Sequence, residues 1–181
     1  MPNGLKPKPS FGLFAAPWRW YLLSLVVIVI DIATKVWAVD RFMYGPPLQI
    51  VPGFLQFTYA ENYGAAFSFL ADAGGWQRWF FGAVAVIFSA VVIVWIKKLP
   101  AAKRWEPMAL ALILGGALGN LWDRMLLGYV RDFISVYYGD WHFPVFNVAD
   151  MAISVGAAML LIELLFFKEK DEESNKGGAE A

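Results

Sequence analysis

Two aspartates, Asp132 and Asp150, suggest the chemistry that this otherwise apolar chain can perform. Two carboxylates held close together cannot both ionise cheaply, so they share one proton. The ionised partner can then activate a water molecule, while the protonated partner donates to a carbonyl oxygen. This is the chemistry of aspartic peptide hydrolysis, and it requires a fold that brings these two residues side by side.

The composition excludes most other catalytic classes. The chain contains no cysteine and a single histidine, His142. A zinc site of the usual kind needs several histidine or cysteine ligands, so we expect no zinc held by the protein. A Ser–His arrangement would have to use His142, and no serine lies in a nucleophile-elbow motif. A P-loop and a dinucleotide fingerprint are also missing, and nothing suggests a nucleic-acid partner.

The hydrophobic pattern predicts four transmembrane helices that position the aspartates. The chain has 181 residues and is 59% hydrophobic, more than a typical soluble domain. Apolar runs that can cross a bilayer when their polar ends are included lie at 20–39, 79–96, 108–127 and 151–165. The first run follows basic residues, as a signal peptide does. We nevertheless expect a retained helix, because Asp31 and Lys35 occupy the place of a small, neutral cleavage region.

The distribution of basic residues predicts that both termini lie in the cytoplasm. Most of the lysines and arginines fall at one set of span ends, namely Lys6, Lys8, Arg19, Lys97, Lys98, Lys103, Arg104, Lys168, Lys170 and Lys176. Cytoplasmic loops of membrane proteins carry such an excess. We therefore expect a cytoplasmic arm at 1–18, a membrane domain at 19–167 with an outer segment at 40–78, and a disordered cytoplasmic tail at 168–181.

The outer segment contains one stretch with the pattern of a strand. Residues 55–60 (LQFTYA) alternate apolar and polar side chains, which is typical of a strand with one buried face. Trp76 and Trp79 suit the membrane–water boundary. The pattern is equally compatible with a plain loop and with a small β element followed by a short interfacial helix. The predicted fold is an all-α membrane protein of four transmembrane helices, with this β element and interfacial helix outside the membrane.

The polar residues of three predicted spans converge at one depth, near the outer interface. They are Asp31, Lys35, Asn120, Asp123, Arg124, Asn147 and Asp150, with Asp132 just beyond the third span. Spacings of three and four residues place the members of each helix on one face. Burying a charge at the bilayer centre costs about 2.5–3.5 kcal/mol, so these groups must pair or line a wet cavity.

Several of these residues also have a purely structural interpretation, whereas Asp132 has no evident capping role. Asp31 with Lys35 can be an ion pair that packs helices, and Asp123 with Arg124 can anchor a helix at the interface. Asn147 can cap the fourth helix with Asp150 three residues later, as in a capping box.

Two other functions also remain open. A transporter or channel subunit could use the acids as an ion path, although their confinement to one interface argues against it. A non-catalytic assembly factor predicts that Asp132 and Asp150 tolerate substitution.

Four motifs, in order along the chain, resemble those of the bacterial lipoprotein signal peptidase family, also called signal peptidase II. DIATK at 31–35 is similar to D-x-x-[ST]-K, and ENYGAAFS at 61–68 to N-x-G-A-A-F. GGALGNLWDRMLLGYVRDF at 115–133 is similar to G-N-x-x-D-R followed by V-x-D-F, and FNVAD at 146–150 to F-N-x-A-D. The resemblance extends over about residues 18–167.

The resemblance implies an enzyme that removes signal peptides from diacylglyceryl-modified prolipoproteins by cutting before the lipidated lipobox cysteine. It implies an enzyme of the bacterial cytoplasmic (inner) membrane, in contact with membrane lipids, with its active site at the outer interface and without metal or cofactor. We expect the protein to be a monomer. The resemblance also implies roles for single residues. The catalytic pair is Asp132 and Asp150; the substrate-binding or orienting residues are Asn62, Gly64, Asn120, Arg124 and Asn147; the architectural support is Asp31, Lys35 and Asp123. Residues 55–69 are expected to clamp the substrate, or else only to cover the helix ends.

Overall fold

A computed structural model describes residues 17–64 and 75–166, which form four helices and four strands. The helices are α1 (Trp18–Phe42), α2 (Trp76–Lys98), α3 (Trp105–Leu126) and α4 (Val148–Phe166). The strands are β1 (Leu48–Val51), β2 (Leu55–Asn62), β3 (Val130–Tyr138) and β4 (Trp141–His142). The short interfacial helix is predicted between the strand and the second membrane span. Most of that stretch, residues 65–74, lies outside the described residues, as do most of the predicted arm and the predicted tail.

The helix α3 lies at the centre and packs against the other three helices. Small residues on α3 allow this close approach. A Cβ atom at Gly119 would lie 2.6 Å from Oδ2 of Asp31 on α1, and one at Gly116 would meet the backbone of Ala149 on α4. Because these glycines have no side chain, α1 and α4 pack closely on α3, and the polar groups of the three helices come together.

Of the helices in the described part of the chain, α1, α2 and α4 are long and apolar enough to cross a membrane. Their outward faces carry exposed Val, Ile, Leu, Phe and Trp side chains. The central helix α3 differs because it contains Glu106, Pro107, Asn120, Asp123 and Arg124. These residues are tolerated because much of α3 faces other helices, so composition alone marks three spans and not the four predicted from the sequence.

The strands form one antiparallel sheet in the order β1-β2-β3-β4. The strand predicted at residues 55–60 is confirmed as part of β2, and the plain-loop alternative is wrong. The sheet is larger than the small element expected, because β1, β3 and β4 also belong to it. Its sequence, VRDFISVYY, is rich in β-branched and aromatic residues, which favour strands.

An aromatic cluster fixes the sheet to the end of α1. Trp37 and Phe42 lie with ring centroids 5.1 Å apart, and Phe57 of β2 lies 5.6 Å from Trp37. Phe133 of β3 is 3% exposed and lies 6.0 Å from Phe57. Because Phe133 is anchored in this way, the position of its neighbour Asp132 is also fixed relative to α1.

Candidate active site

Asp132 and Asp150 reach the same cleft from different elements. Asp132 belongs to β3 and is 2% exposed, whereas Asp150 lies in the first turn of α4. The connection between them folds back on β3, since the backbone N–H of Phe146 donates to the carbonyl of Ile134 at 3.0 Å. Both aspartates line a cleft of about 1010 Å³. The structure thus brings together the two residues that the sequence predicted to be neighbours.

The environment of Asp132 favours its protonated form. Burial raises the pKa of Asp132 to about 7, and the charge of Asp150 acts in the same direction. Hydrogen bonds from Asn62 and Asn147 oppose this shift without cancelling it. Near neutral pH the two carboxyl groups can therefore hold one proton between them, and this proton belongs to the pair and not to one of the two residues.

Two asparagines donate amide hydrogen bonds to Asp132, and the backbone fixes how each is oriented. The Asn62 side-chain oxygen accepts from the N–H of Gly64 at 3.1 Å, so its Nδ2 donates to Oδ2 of Asp132 at 3.0 Å. The Asn147 oxygen accepts from the N–H of Asp150 at 3.0 Å, so its Nδ2 donates to Oδ1 of Asp132 at 2.6 Å. A backbone N–H can only donate, which excludes the flipped amides.

Asn147 and Asp150 also form the reciprocal cap predicted from the sequence. The N–H of Asn147 donates to Oδ2 of Asp150 at 3.2 Å, while the N–H of Asp150 donates to the Asn147 side chain. This is the geometry of a capping box at the start of α4. The cap leaves Asp150 on the cleft, so the structural role is compatible with a catalytic one.

Asn120 on α3 is oriented by a lysine. Its Oδ1 accepts from Nζ of Lys35 at 2.9 Å and from Nδ2 of Asn147 at 3.2 Å. A lysine ammonium has no acceptor, so the Asn120 Nδ2 must point the other way, and it donates to Oδ1 of Asp150 at 2.7 Å. The side-chain amide of Asn120 thus links Lys35 to Asp150 of the acid pair.

The support residues predicted from the sequence form a fully buried layer beneath the pair. Nζ of Lys35 lies 2.7 Å from Oδ2 of Asp31 and 3.5 Å from Oδ2 of Asp123, and all three side chains are 0% exposed. The other oxygen of Asp31 accepts from the N–H of Ala149 at 2.9 Å. This layer therefore ties α1 to α3 and to the first turn of α4.

The buried and half-buried charges around the acid pair balance when the pair carries one proton. These groups are Lys35, Arg124 and Arg131 against Asp31, Asp123, Asp132 and Asp150, whereas Glu61 also lines the cleft but is exposed to solvent. One shared proton on Asp132 and Asp150 makes the positive and negative sets equal. Charges withdrawn from water need partners of opposite sign, so this balance favours the singly protonated pair.

Arg124 holds the end of β2 over the cleft. Its Nη2 donates to the carbonyl of Gly64 at 3.3 Å, and its guanidinium lies 5.5 Å from the centroid of the Phe81 ring. Arg124, Asn62 and Gly64 all line the cleft. The last third of the expected clamp, residues 65–69, lies outside the described residues.

Two features of the site were missed in the sequence. Arg131 binds Asp123 through Nη2 at 2.6 Å, through Nε at 3.1 Å and through its backbone N–H at 3.0 Å. The sequence signal that could have indicated this ion pair was a basic residue directly before Asp132, in a stretch rich in strand-forming residues. The second feature is the apolar wall of the cleft, where the first turns of α4 contribute Met151, Ile153 and Val155.

The acid pair and its amide donors suit acid–base chemistry on a carbonyl group. One carboxylate can accept a proton from water while the other donates to an oxygen. In the part of the chain that the structure describes, no three His, Asp or Glu side chains are grouped as metal ligands.

Comparison with known proteins assigns the family. The sequence model of a family described as "Signal peptidase (SPase) II" matches residues 23–166. The chain belongs to the signal peptidase II family. The resemblance stated from the four motifs is therefore confirmed, and so is the prediction of a membrane-associated peptidase.

Individual relatives within the signal peptidase II family match nearly the whole chain. The chain is 50% identical over 169 residues to the lipoprotein signal peptidase of Pseudomonas putida, covering 92% of this chain and 96% of that one. It is 49% identical over 175 residues to the lipoprotein signal peptidase of Acinetobacter baumannii, covering 97% and 98%. It is also similar to a solved structure described as a bacterial membrane enzyme, with a TM-score of 0.70, 30% identity, and coverage of 82% of this chain and 93% of that one.

Proposed function

We propose that this protein is a membrane-embedded aspartic endopeptidase that removes signal peptides from diacylglyceryl-modified prolipoproteins by cutting before the lipidated cysteine. Membership of the signal peptidase II family supports the reaction class, and the names of the relatives support the substrate class. The observation that carries the proposal is the meeting of Asp132 and Asp150 in one cleft, each accepting amide hydrogen bonds.

The reaction follows from a pair that holds one proton. The ionised carboxylate takes a proton from a water molecule, whose oxygen attacks the scissile carbonyl carbon. The protonated carboxyl group donates to the carbonyl oxygen, which gives a neutral tetrahedral intermediate. When the C–N bond breaks, the proton taken from water passes to the leaving amine, and the hydroxyl proton returns to the pair. Asn62, Asn120 and Asn147 keep both carboxyl groups oriented throughout.

In the proposed topology α3 crosses the membrane in addition to α1, α2 and α4. Both termini lie in the cytoplasm, and the acid pair lies at the outer interface. The support for this topology is the distribution of basic residues together with the position of α3 against the three apolar helices. In this arrangement the acyl chains of the substrate stay in the bilayer while its scissile bond reaches the cleft. Tethering both partners to one membrane raises their effective concentration.

A monomer is sufficient for this activity, because α1, α3, α4 and the sheet of one chain supply every described residue of the site. The channel alternative is disfavoured by the distribution of polar groups on α3. Glu106 lies near its start and Asn120 near its end, with only apolar residues between them. The polar groups therefore form separate layers and not a path across the membrane.

The proposal is tested with the purified protein in detergent and a synthetic prolipoprotein peptide in two forms. One form carries a diacylglyceryl-modified cysteine, and the other has the free thiol. We expect mass spectrometry to show a single cut, immediately before the cysteine, in the lipidated peptide only. Equal cleavage of both forms, or a cut elsewhere, contradicts the proposed specificity.

A further inference from the structure

The apolar wall of the cleft contains one polar side chain, Ser154. It lies on α4 one helical turn beyond Asp150, which places the two side chains on the same face of the helix. Four residues of helix correspond to about 6 Å along its axis. Ser154 is an exposed side chain that therefore lines the cleft roughly 6 Å from Asp150, farther from the start of α4, beside Met151 and Val155.

The Ser154 hydroxyl forms no hydrogen bond with any of the described residues, although its helix offers a carbonyl one turn earlier. Two hydroxyls on α1 are bonded in that way, whereas the buried hydroxyl of Ser89 on α2 is not. Thr34 donates to the carbonyl of Ile30 at 2.8 Å, and Ser24 donates to the carbonyls of Trp20 at 3.2 Å and of Ala111 at 2.8 Å. In an apolar setting an unpaired hydroxyl is costly, so a partner supplied by a ligand stabilises the complex.

We propose that Ser154 donates a hydrogen bond to an ester carbonyl of the substrate's diacylglyceryl group, and that this cleft wall is the recognition site for the glyceryl ester. The inference rests on the proposed function. An ester group has acceptors and no donor, so it matches a hydroxyl that has a free proton to donate.

The covalent structure of the substrate places the ester at the required position. The glyceryl group is joined to the cysteine through its sulfur, so the ester oxygens follow a few bonds after the scissile peptide. When that peptide lies against Asp132 and Asp150, the ester must lie beyond them, and the acyl chains must continue into the bilayer. Ser154 lies one turn beyond Asp150, while the exposed Met151 and Val155 offer the acyl chains an apolar surface.

The test combines an enzyme variant with a matched change in the substrate. The two peptides carry either the diacylglyceryl ester or the corresponding dialkylglyceryl ether, which has no carbonyl to accept a bond. The enzymes are the wild type, Ser154→Ala and Ser154→Thr, with Met151→Leu as a control on the same wall. Melting temperatures in detergent establish that every variant is folded.

We expect the wild type to cleave the ether peptide with a kcat/KM about 2- to 12-fold lower than the ester peptide, the ratio expected for one hydrogen bond. Ser154→Ala should lose the same factor on the ester peptide and nothing further on the ether peptide. Ser154→Thr and Met151→Leu should keep the discrimination. Equal losses by Ser154→Ala on both peptides would overturn the inference, because Ser154 would then act on the peptide or on packing. Failure of the wild type to cleave either peptide would instead remove the proposed function.

Discussion

Replacement of Lys35 by methionine is expected to destabilise the protein strongly, because it removes the shared partner of two buried carboxylates. Nζ of Lys35 lies 2.7 Å from Asp31 and 3.5 Å from Asp123, and no part of these side chains is exposed. After the change Asp123 keeps Arg131, but Asp31 keeps only the N–H of Ala149. Methionine has a similar length and no charge, so the main loss is electrostatic.

The size of this effect follows from the burial of the pair. Breaking a buried ion pair by removing one partner costs about 3–5 kcal/mol. For a chain of this length each kcal/mol corresponds to about 2–4 °C, so the melting temperature should fall by roughly 6–20 °C. Lys103→Met is a matched control. Its ion pair with Glu106 is equally short at 2.6 Å, but the Lys103 side chain is 49% exposed. Glu106 is 11% exposed but keeps the hydrogen bond from Trp95 when Lys103 is replaced. Because the lysine of this pair reaches water, the loss should stay at about 0–1 kcal/mol, as for surface pairs, which predicts a fall of roughly 0–4 °C.

The assay is thermal unfolding of both variants in one detergent, followed by tryptophan fluorescence. A double variant, Lys35→Met with Asp31→Asn, should recover part of the loss, since it also removes the carboxylate left without a partner. Equal small shifts in Lys35→Met and Lys103→Met would refute the reasoning, because the buried layer would then not support the fold.

Three further predictions concern pH, substrate contacts and topology. The pKa of Asp132 is raised to about 7, so protonation of Asp132 stabilises the fold fully below the unfolded pKa of ~3.9, and this stabilisation is lost as the pH rises through 7. The melting temperature of the Asp132→Asn variant should therefore rise relative to that of the wild type between pH 5 and pH 8. A melting-temperature difference that stays constant over this range contradicts the prediction. Asn62→Ala removes a hydrogen bond to a carboxyl group at the cleft, so it should lower the cleavage rate about 10- to 100-fold with a nearly unchanged melting temperature. Wild-type cleavage by this variant would exclude the role. A reporter that is active only in the periplasm should be active when fused after Gly139 and inactive after Ala101; the reverse pattern would place the acid pair on the cytoplasmic side.

The sequence predicted the helices and the meeting of the polar groups because both depend on local spacing. Long apolar runs specify membrane helices, and residues three or four apart share a face wherever the helix lies. Asp31 and Lys35 could therefore be paired before their neighbours on α3 were known. The reciprocal cap of Asn147 and Asp150 was equally local, and the structure has it.

The parts that were missed depend on contacts between distant segments. The pairing of β3 with β2 joins Asp132 to Ala60 in register, and no local pattern specifies which strand is the partner. The bond of Arg131 to Asp123 arises from the turn between α3 and β3, which orients the arginine toward the helix end. The direction of the Asn120 amide is set by Lys35 on another helix, so it follows only from the assembled structure.

The central claim is that Asp132 and Asp150 act as one catalytic unit. The most direct measurement is the cleavage rate of a purified diacylglyceryl prolipoprotein by the wild type, by Asp132→Asn, by Asp150→Asn and by the double variant, each shown to be folded by its melting temperature. Residues that act as a unit are non-additive, so each single variant should abolish cleavage and the double variant should be no worse than either. Measurable turnover by either folded single variant would contradict the account.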